Sequence, residues 1–166
     1  LEAFHARGFE RSEELGYAVG RQFGYEPVVG GAVVAVAPRL GQRRRGVDMG
    51  PSALRYAGLD SQLRTLGHTV KDNGDLAVPL PENEPPGNSR ARHLDSIADV
   101  CRDVYTHALA CLEHHEAAIF LGGDHSVSFP LIGAYAEFFS GLNVLHLDAH
   151  SDLYDDFEGN PHSHAS

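Results

Sequence analysis

The feature that most constrains the fold is a strand–helix–strand pattern in the last third of the chain. A short apolar run over residues 117–121 ends in Gly122-Gly123-Asp124-His125, and a second run over residues 142–147 ends in Asp148-Ala149-His150. Between them, residues 127–139 carry apolar side chains at helical spacing. Strands that alternate with helices predict a parallel sheet, connected by right-handed crossovers.

The preceding part of the chain continues this alternation. Ala32-Val33-Val34-Ala35-Val36 is a continuous apolar run and is typical of a buried central strand. Residues 51–67 begin with Pro51 and end with Gly67, which predicts a helix, and residues 68–75 predict a second strand. A long helix is expected from a Ser89 cap to about His115. The sequence therefore predicts an α/β protein.

Composition narrows the classes of partner. The formal net charge is -10, which disfavours nucleic acid and anionic membranes and weakly suits a small cationic substrate. No apolar stretch approaches the ~18 residues that a membrane span needs. Cys101 and Cys111 lie on one predicted helix, about 15 Å apart along its axis, too far for a mutual disulfide. Free thiols and no sign of a signal peptide favour a cytoplasmic protein.

The two strand-end motifs are expected to form one site. If their strands are neighbours, His125 and Asp148 lie at the same edge of the sheet, and adjacent strands are about 4.8 Å apart. Histidines with aspartates and no thiolate suit Mn²⁺, Fe²⁺, Co²⁺ or Zn²⁺ better than Ca²⁺ or Mg²⁺. Either motif alone is often only a turn or a strand end. Together they predict a metal site, and bridging aspartates favour two ions.

Four motifs resemble the ureohydrolase family, which includes arginase and agmatinase. They are Gly46-Val47-Asp48-Met49-Gly50-Pro51, Gly122-Gly123-Asp124-His125-Ser126, Asp148-Ala149-His150-Ser151-Asp152 and Ser163-His164-Ala165-Ser166. The resemblance covers most of the chain, from about Val33 to Ser166, and is closest to plant-type arginase. It implies the first half of an arginase-like fold, with three α/β/α layers and a parallel sheet. Residues 1–29 would be an N-terminal helical extension, and residues 30–166 the N-terminal part of a single domain.

The resemblance also implies the metal and its ligands. Two Mn²⁺ ions would be held by four residues: His125, Asp148, His150 and Asp152. His125, Asp148 and Asp152 would hold one ion, and Asp148 would bridge it to the ion on His150. Members of the family complete the centre with a later Asp-x-Asp pair, which this sequence lacks. We therefore expect this chain, which begins with Leu1, to be a piece of a longer enzyme and incomplete by itself.

The chemistry that the resemblance implies is metal-assisted hydrolysis of a guanidinium group to urea and an amine. Asp152 and His164 would be the catalytic residues, with Asp152 orienting the attacking water and His164 moving protons near neutral pH. Tyr154 stands where animal arginases have an asparagine, a feature similar to agmatinases and plant-type arginases. Asn160 and Ser163 are further candidates for contact with the substrate.

These observations predict a binuclear-manganese arginase that converts L-arginine and water to L-ornithine and urea. By resemblance, it would assemble as a homotrimer or homohexamer. Agmatinase, or another ureohydrolase of guanidino acids, is the first alternative. A non-catalytic relative that binds or regulates a partner is the second. A deacetylase of the same broad fold also has an Asp-x-His step, but the Gly-Gly-Asp-His segment and Asp152 fit it less well.

Overall fold

The computed structural model describes residues 30–36, 40, 46–85, 87–88, 91–114 and 117–163. The predicted extension over residues 1–29 lies outside these ranges, and so do Ser89 and His164. Along the chain, the elements are β1 (Gly30–Val36), α1 (Gly50–Tyr56), α2 (Leu59–Thr65), β2 (Thr69–Asp75), β3 (Gly87–Asn88), β4 (Ala91–Arg92), α3 (Leu94–Glu113), β5 (Ala117–Gly122) and α4 (Ser128–Phe138). Short 3-10 turns at Val47–Met49 and His125–Val127 precede α1 and α4.

The main sheet has three strands in the order β2-β1-β5, and both pairs are parallel. This confirms the parallel sheet and the central position of β1, whose apolar run needs a neighbour on each side. The register pairs Val36 with Gly122, so the end of β5 lies at the carboxyl edge of the sheet. Strands β3 and β4 form a separate antiparallel pair.

Helices cover both faces of this sheet. Successive side chains of a strand point to opposite faces, so neighbours on β5 pack against different layers. Phe120 packs against a cluster that includes Val100 and Val104 of α3, whereas the next residue, Leu121, packs with Val70 against α2. The resulting helix–sheet–helix arrangement is the expected three-layer α/β/α fold.

Two predicted helices have different bounds in the structure. The helix predicted over residues 51–67 is divided by Gly58, whose φ of 89° is a left-handed conformation that ends α1 and precedes α2. The long helix begins at Leu94 rather than at a Ser89 cap, because Ala91–Arg92 are already paired in the β3–β4 hairpin. His93 precedes α3 with a φ of 55° and no side-chain cap.

The predicted strand over residues 142–147 is wrong, because the structure has no regular element there. Leu145 and Leu147 are 84% and 86% exposed. A continuous apolar strand is stable when other layers cover both of its faces, and the described residues provide no such cover for this segment. Residues 142–147 therefore lead irregularly from α4 to the Asp148 motif.

In the part of the chain that the structure describes, no helix is both long enough and apolar enough to cross a membrane.

Candidate metal centre

The turn after β5 places His125 at the carboxyl edge of the sheet. Asp124 is only 6% exposed and caps the 3-10 turn, because its Oδ1 accepts hydrogen bonds from the backbone N–H and the hydroxyl of Ser126, at 3.1 and 2.5 Å. Side-chain oxygens commonly satisfy the first N–H groups of a helical turn in this way. Asp124 therefore fixes the backbone from which the His125 side chain projects.

A second contact restrains the ring of His125. Its Nδ1 lies 3.3 Å from the hydroxyl of Ser128, the first residue of α4. Its Nε2 lies 3.4 Å from Oδ2 of Asp152, which belongs to the other motif. Metal-binding histidines usually have the second ring nitrogen hydrogen-bonded, which fixes the orientation of the nitrogen that binds. The structure thus brings together two of the four predicted metal ligands.

Asp152 reaches His125 because the chain turns back at this point. Its φ of 49° lies in the left-handed region, which aspartate tolerates better than most residues. Its side chain is 17% exposed and thus largely shielded from solvent. This conformation is part of the turn by which the chain brings Asp152 to His125.

His146 joins this pair, although the sequence analysis did not select it. Its ring stacks on that of His125, with 5.9 Å between the ring centroids and 24° between the planes. One ligand atom from each of His125, His146 and Asp152 lies within 4.8 Å of the other two. The sequence could have indicated His146. It is two residues before Asp148, and residues two apart in an extended chain lie on the same side.

The other two predicted ligands form a second contact. Oδ1 of Asp148 accepts a 2.9 Å hydrogen bond from the backbone N–H of His150 and lies 3.4 Å from Nδ1 of the His150 ring. This backbone hydrogen bond, helped by the charges of His146 and His150, holds the pKa of Asp148 below its usual value. Nε2 of His146 lies 3.8 Å from Oδ2 of Asp148, so His146 stands between the two predicted pairs.

The predicted substrate-contact residues follow in a surface segment. Tyr154 is exposed, with its ring centroid 6.3 Å from that of Phe157. The backbone of Phe157 pairs with that of Asn160 across Glu158 and Gly159, whose φ values of 54° and 75° correspond to a type I′ turn. Oδ1 of Asn160 accepts a hydrogen bond from the His162 N–H, and Ser163 is half-buried. The catalytic prediction for His164 lies outside the described residues.

The donor atoms fit a divalent transition metal. With metal–ligand bonds of about 2.1 Å, two ligand atoms on one ion are roughly 3.0 to 3.4 Å apart, in octahedral or tetrahedral geometry. The 3.4 Å between His125 Nε2 and Asp152 Oδ2 agrees with this spacing. Imidazole nitrogens with a carboxylate oxygen suit Mn²⁺, Fe²⁺, Co²⁺ and Zn²⁺.

A profile described as the arginase family matches residues 29–166. This chain belongs to the arginase family. The match includes every motif on which the resemblance was based, so the recognition of the family is confirmed. The similarity to plant-type arginases within the family stays a prediction.

Sequence identity to individual arginases supports this assignment. The chain is 37% identical over 123 residues to an arginase of Staphylococcus aureus strain MSSA476, covering 73% of this chain and 41% of the relative. An arginase of Bacillus caldovelox is 35% identical over 123 residues, covering 74% of this chain and 41% of the relative. The chain thus spans about 41% of the length of these arginases.

Solved structures confirm the arginase fold. The crystal structure of an arginase from Bacillus cereus has a TM-score of 0.71 and 34% identity, covering 82% of this chain and 45% of that one. The agmatine ureohydrolase of Thermoplasma volcanium has a TM-score of 0.59 at 23% identity, covering 86% of this chain and 45% of that one, and it shows the fold alone.

Proposed function

We propose that the whole protein is a metal-dependent hydrolase of guanidino compounds, and specifically an arginase that produces L-ornithine and urea from L-arginine. One observation carries the proposal. In a chain of the arginase family, His125 and Asp152 come from separate motifs, and their ligand atoms lie 3.4 Å apart at the carboxyl edge of a parallel sheet. Ligands bind at this edge in open α/β sheets.

The proposed cofactor is Mn²⁺, with two ions in the complete centre. His125, Asp148, His150 and Asp152 are the proposed ligands from this part of the protein. When bound, the metal would lower the pKa of a water molecule and stabilise negative charge that develops during hydrolysis. The contact between His125 and Asp152 supports one half of this ligand set, and the contact between Asp148 and His150 supports the other.

Side chains of this chain would orient the attacking water and transfer protons. Asp152 orients the attacking water through a carboxylate oxygen, a role supported by its position beside His125. His164 accepts and returns protons, because an imidazole changes its charge near neutral pH. The guanidinium group is cationic, and the net charge of -10 favours its approach. Tyr154, Asn160 and Ser163 are the proposed substrate contacts. We also propose that the protein is cytoplasmic and that it assembles as a homotrimer or homohexamer.

The test is urea release by a protein extended to the length of its arginase relatives and loaded with Mn²⁺. L-arginine, agmatine and 4-guanidinobutyrate are offered in parallel. We expect the highest kcat/KM for L-arginine, and a loss of at least about 100-fold for Asp152→Asn, since it removes both a metal ligand and a water contact. Asp99→Asn is the matched control, because Asp99 is exposed on α3 and pairs with Arg102, which is outside the motifs.

The three substrates separate the competing functions. A clear preference for agmatine or 4-guanidinobutyrate would replace the arginase assignment with the corresponding ureohydrolase. If the metal-loaded protein releases urea from none of them, the hydrolase proposal fails and a non-catalytic relative becomes the better description.

A further inference from the structure

We propose that Met49 lines the substrate site and contacts the aliphatic stem of the guanidino substrate, so that it helps to determine which guanidino compound is preferred. The inference rests on the proposed function, because it names a residue that would contact the substrate of that same site. Met49 belongs to the motif over residues 46–51, which supplies none of the proposed metal ligands or catalytic residues.

The motif over residues 46–51 lies at the same edge of the sheet as the candidate metal centre. An ideal Cβ on Gly50, the first residue of α1, would be 3.5 Å from the carbonyl oxygen of Gly122, which ends β5. His125 is the third residue after Gly122, and three residues of extended chain span at most about 11 Å. Met49 directly precedes Gly50, so it is close to the turn that carries His125.

The turn that carries Met49 has a well-defined backbone. The Met49 N–H donates to the carbonyl oxygen of Gly46 at 3.1 Å, and the Gly46 N–H donates to Oδ1 of Asp48 at 3.1 Å. Gly46 has a φ of 106°, in the left-handed region that glycine adopts without strain. Pro51 is fully buried and anchors the start of α1. A rigid support of this kind positions a side chain for binding.

The side chain of Met49 suits the chemistry of the substrate. It is 67% exposed, so its thioether is accessible to a ligand at this edge. The proposed function puts the cationic head of the substrate at the metal centre, and the methylene groups behind the head then require an apolar contact. Methionine is unbranched, flexible and polarisable, and it adapts to apolar groups of varied shape. Ligand sites generally combine such apolar walls with a few polar groups that fix orientation.

The test is steady-state kinetics of the Mn²⁺-loaded protein, extended to the length of its arginase relatives, with L-arginine, agmatine and 4-guanidinobutyrate. Met49→Ala should raise KM about tenfold for all three substrates, because it removes apolar contact area. It should leave kcat within about twofold, since a contact that is equal in the ground state and the transition state affects KM alone. Met49→Leu keeps an apolar side chain of similar volume and should restore KM to within about threefold of the wild type.

Leu66→Ala is the matched control for the loss of an apolar side chain. Leu66 is also exposed, but it follows α2 and precedes β2, so it lies at the opposite, amino edge of the sheet. It should leave KM unchanged for every substrate. Far-UV circular dichroism checks that each variant is folded. If Met49→Ala does not fold, Met49→Gln replaces it, because glutamine keeps the length of the side chain and removes its apolar character.

A charge at position 49 provides a second test, which concerns specificity. Met49→Glu should raise the ratio of kcat/KM for agmatine to that for 4-guanidinobutyrate by at least about tenfold. The reason is that a carboxylate attracts the terminal amine of agmatine and repels the terminal carboxylate of 4-guanidinobutyrate. High salt should reduce this change. Leu66→Glu is the control and should leave the ratio unchanged.

Unchanged kinetics would overturn the inference without affecting the proposed function. That outcome is urea release by the wild type, with the same KM in Met49→Ala and the same substrate ratio in Met49→Glu. A lower Tm of Met49→Ala with an unchanged KM would also overturn it, because Met49 would then pack within the whole protein and not against the substrate.

Absence of urea release by the wild type would overturn the proposed function, and binding then decides the inference separately. Calorimetry with L-arginine and with agmatine measures the affinity of the wild type and of Met49→Ala. An affinity that falls about tenfold in Met49→Ala would support the contact with Met49. Equal affinities, or no binding by the wild type, would overturn it.

Discussion

Close packing between Gly122 and Val127 positions the turn that carries His125. An ideal Cβ on Gly122, the last residue of β5, would lie 2.7 Å from Cγ2 of Val127. Val127 is buried in the main core cluster and ends the turn that carries His125. Asp124, the first residue of the motif that is not glycine, caps the same turn. A glycine is therefore required at position 122 for steric reasons, before any metal is considered.

Gly122→Ala should destabilise the protein and disturb the metal centre. We expect the free energy of unfolding to fall by about 1 to 3 kcal/mol, because an added methyl group overpacks the core around Val127. Denaturant unfolding measures this loss. Gly133→Ala is the matched control: its Cβ would lie 3.9 Å from Tyr105, an ordinary contact, and Gly133 is inside α4. This control should be neutral or up to about 1 kcal/mol more stable. Equal losses in both variants would contradict the steric argument.

At the scale of elements, an ion-pair cluster joins α1 to β2. The Arg55 guanidinium contacts both carboxylate oxygens of Asp72 at 2.7 Å and Oδ1 of Asp75 at 2.5 Å. These hydrogen bonds raise the pKa of Arg55, and the Arg55 hydrogen bond is the main reason that the pKa of Asp72 lies below its usual value. Two-pronged arginine–carboxylate contacts are stronger than single ones. The cluster links α1, which begins with Gly50-Pro51, to β2.

The cluster predicts a pH-dependent stability. Because the pKa of Asp72 is lowered on folding, its contribution is fully present above the unfolded value of about 3.9 and is lost as pH falls through the lower folded pKa. Asp72 is 37% exposed, so we expect Arg55→Gln to cost only about 1 kcal/mol at pH 7. That difference should shrink as the pH falls below about 4. Urea unfolding at several pH values tests it.

The control for this prediction is Arg102→Gln. Arg102 pairs with Asp99 on the exposed face of α3, where solvent screens both charges. We expect a change below about 0.5 kcal/mol at every pH. A loss in Arg55→Gln that stays constant down to pH 2 would show that packing of the arginine stem, and not the ion pair, accounts for the effect.

At the scale of the whole molecule, the candidate metal centre joins parts of the chain that are distant in sequence. His125 follows β5, whereas His146 and Asp152 lie in the irregular segment that begins after α4. Binding of an ion to these residues would restrain that segment against the sheet edge. Because the unfolded chain does not hold the three donors together, metal binding should stabilise the native state.

Mn²⁺ should therefore raise the Tm of the chain. At a free concentration of about 100 times the Kd, the expected stabilisation is about 2.7 kcal/mol. For a domain of this size, that corresponds to a shift of roughly 5 to 10 °C. Thermal denaturation followed by circular dichroism measures it, and EDTA should reverse it. The same shift in His125→Asn as in the wild type would place the ion elsewhere.

Much of the fold followed from local sequence patterns. The apolar runs at β1 and β5 predicted parallel strands, and the spacing of apolar residues predicted α4. These features depend mainly on residues close in sequence, which is why periodicity detects them. The break at Gly58 and the later start of α3 escaped prediction, since turn geometry and hairpin pairing compete there with helix formation.

By itself, the sequence determined the family, the parallel α/β architecture and the two motifs that contain the predicted metal ligands, because each depends on residue types at short fixed spacings. Only the tertiary structure decided how those ligands group. It paired His125 with Asp152, paired Asp148 with His150 and brought His146 between the pairs. It also left residues 142–147 without strand structure. Both outcomes depend on where separate segments pack and turn in space, and local spacing does not specify that.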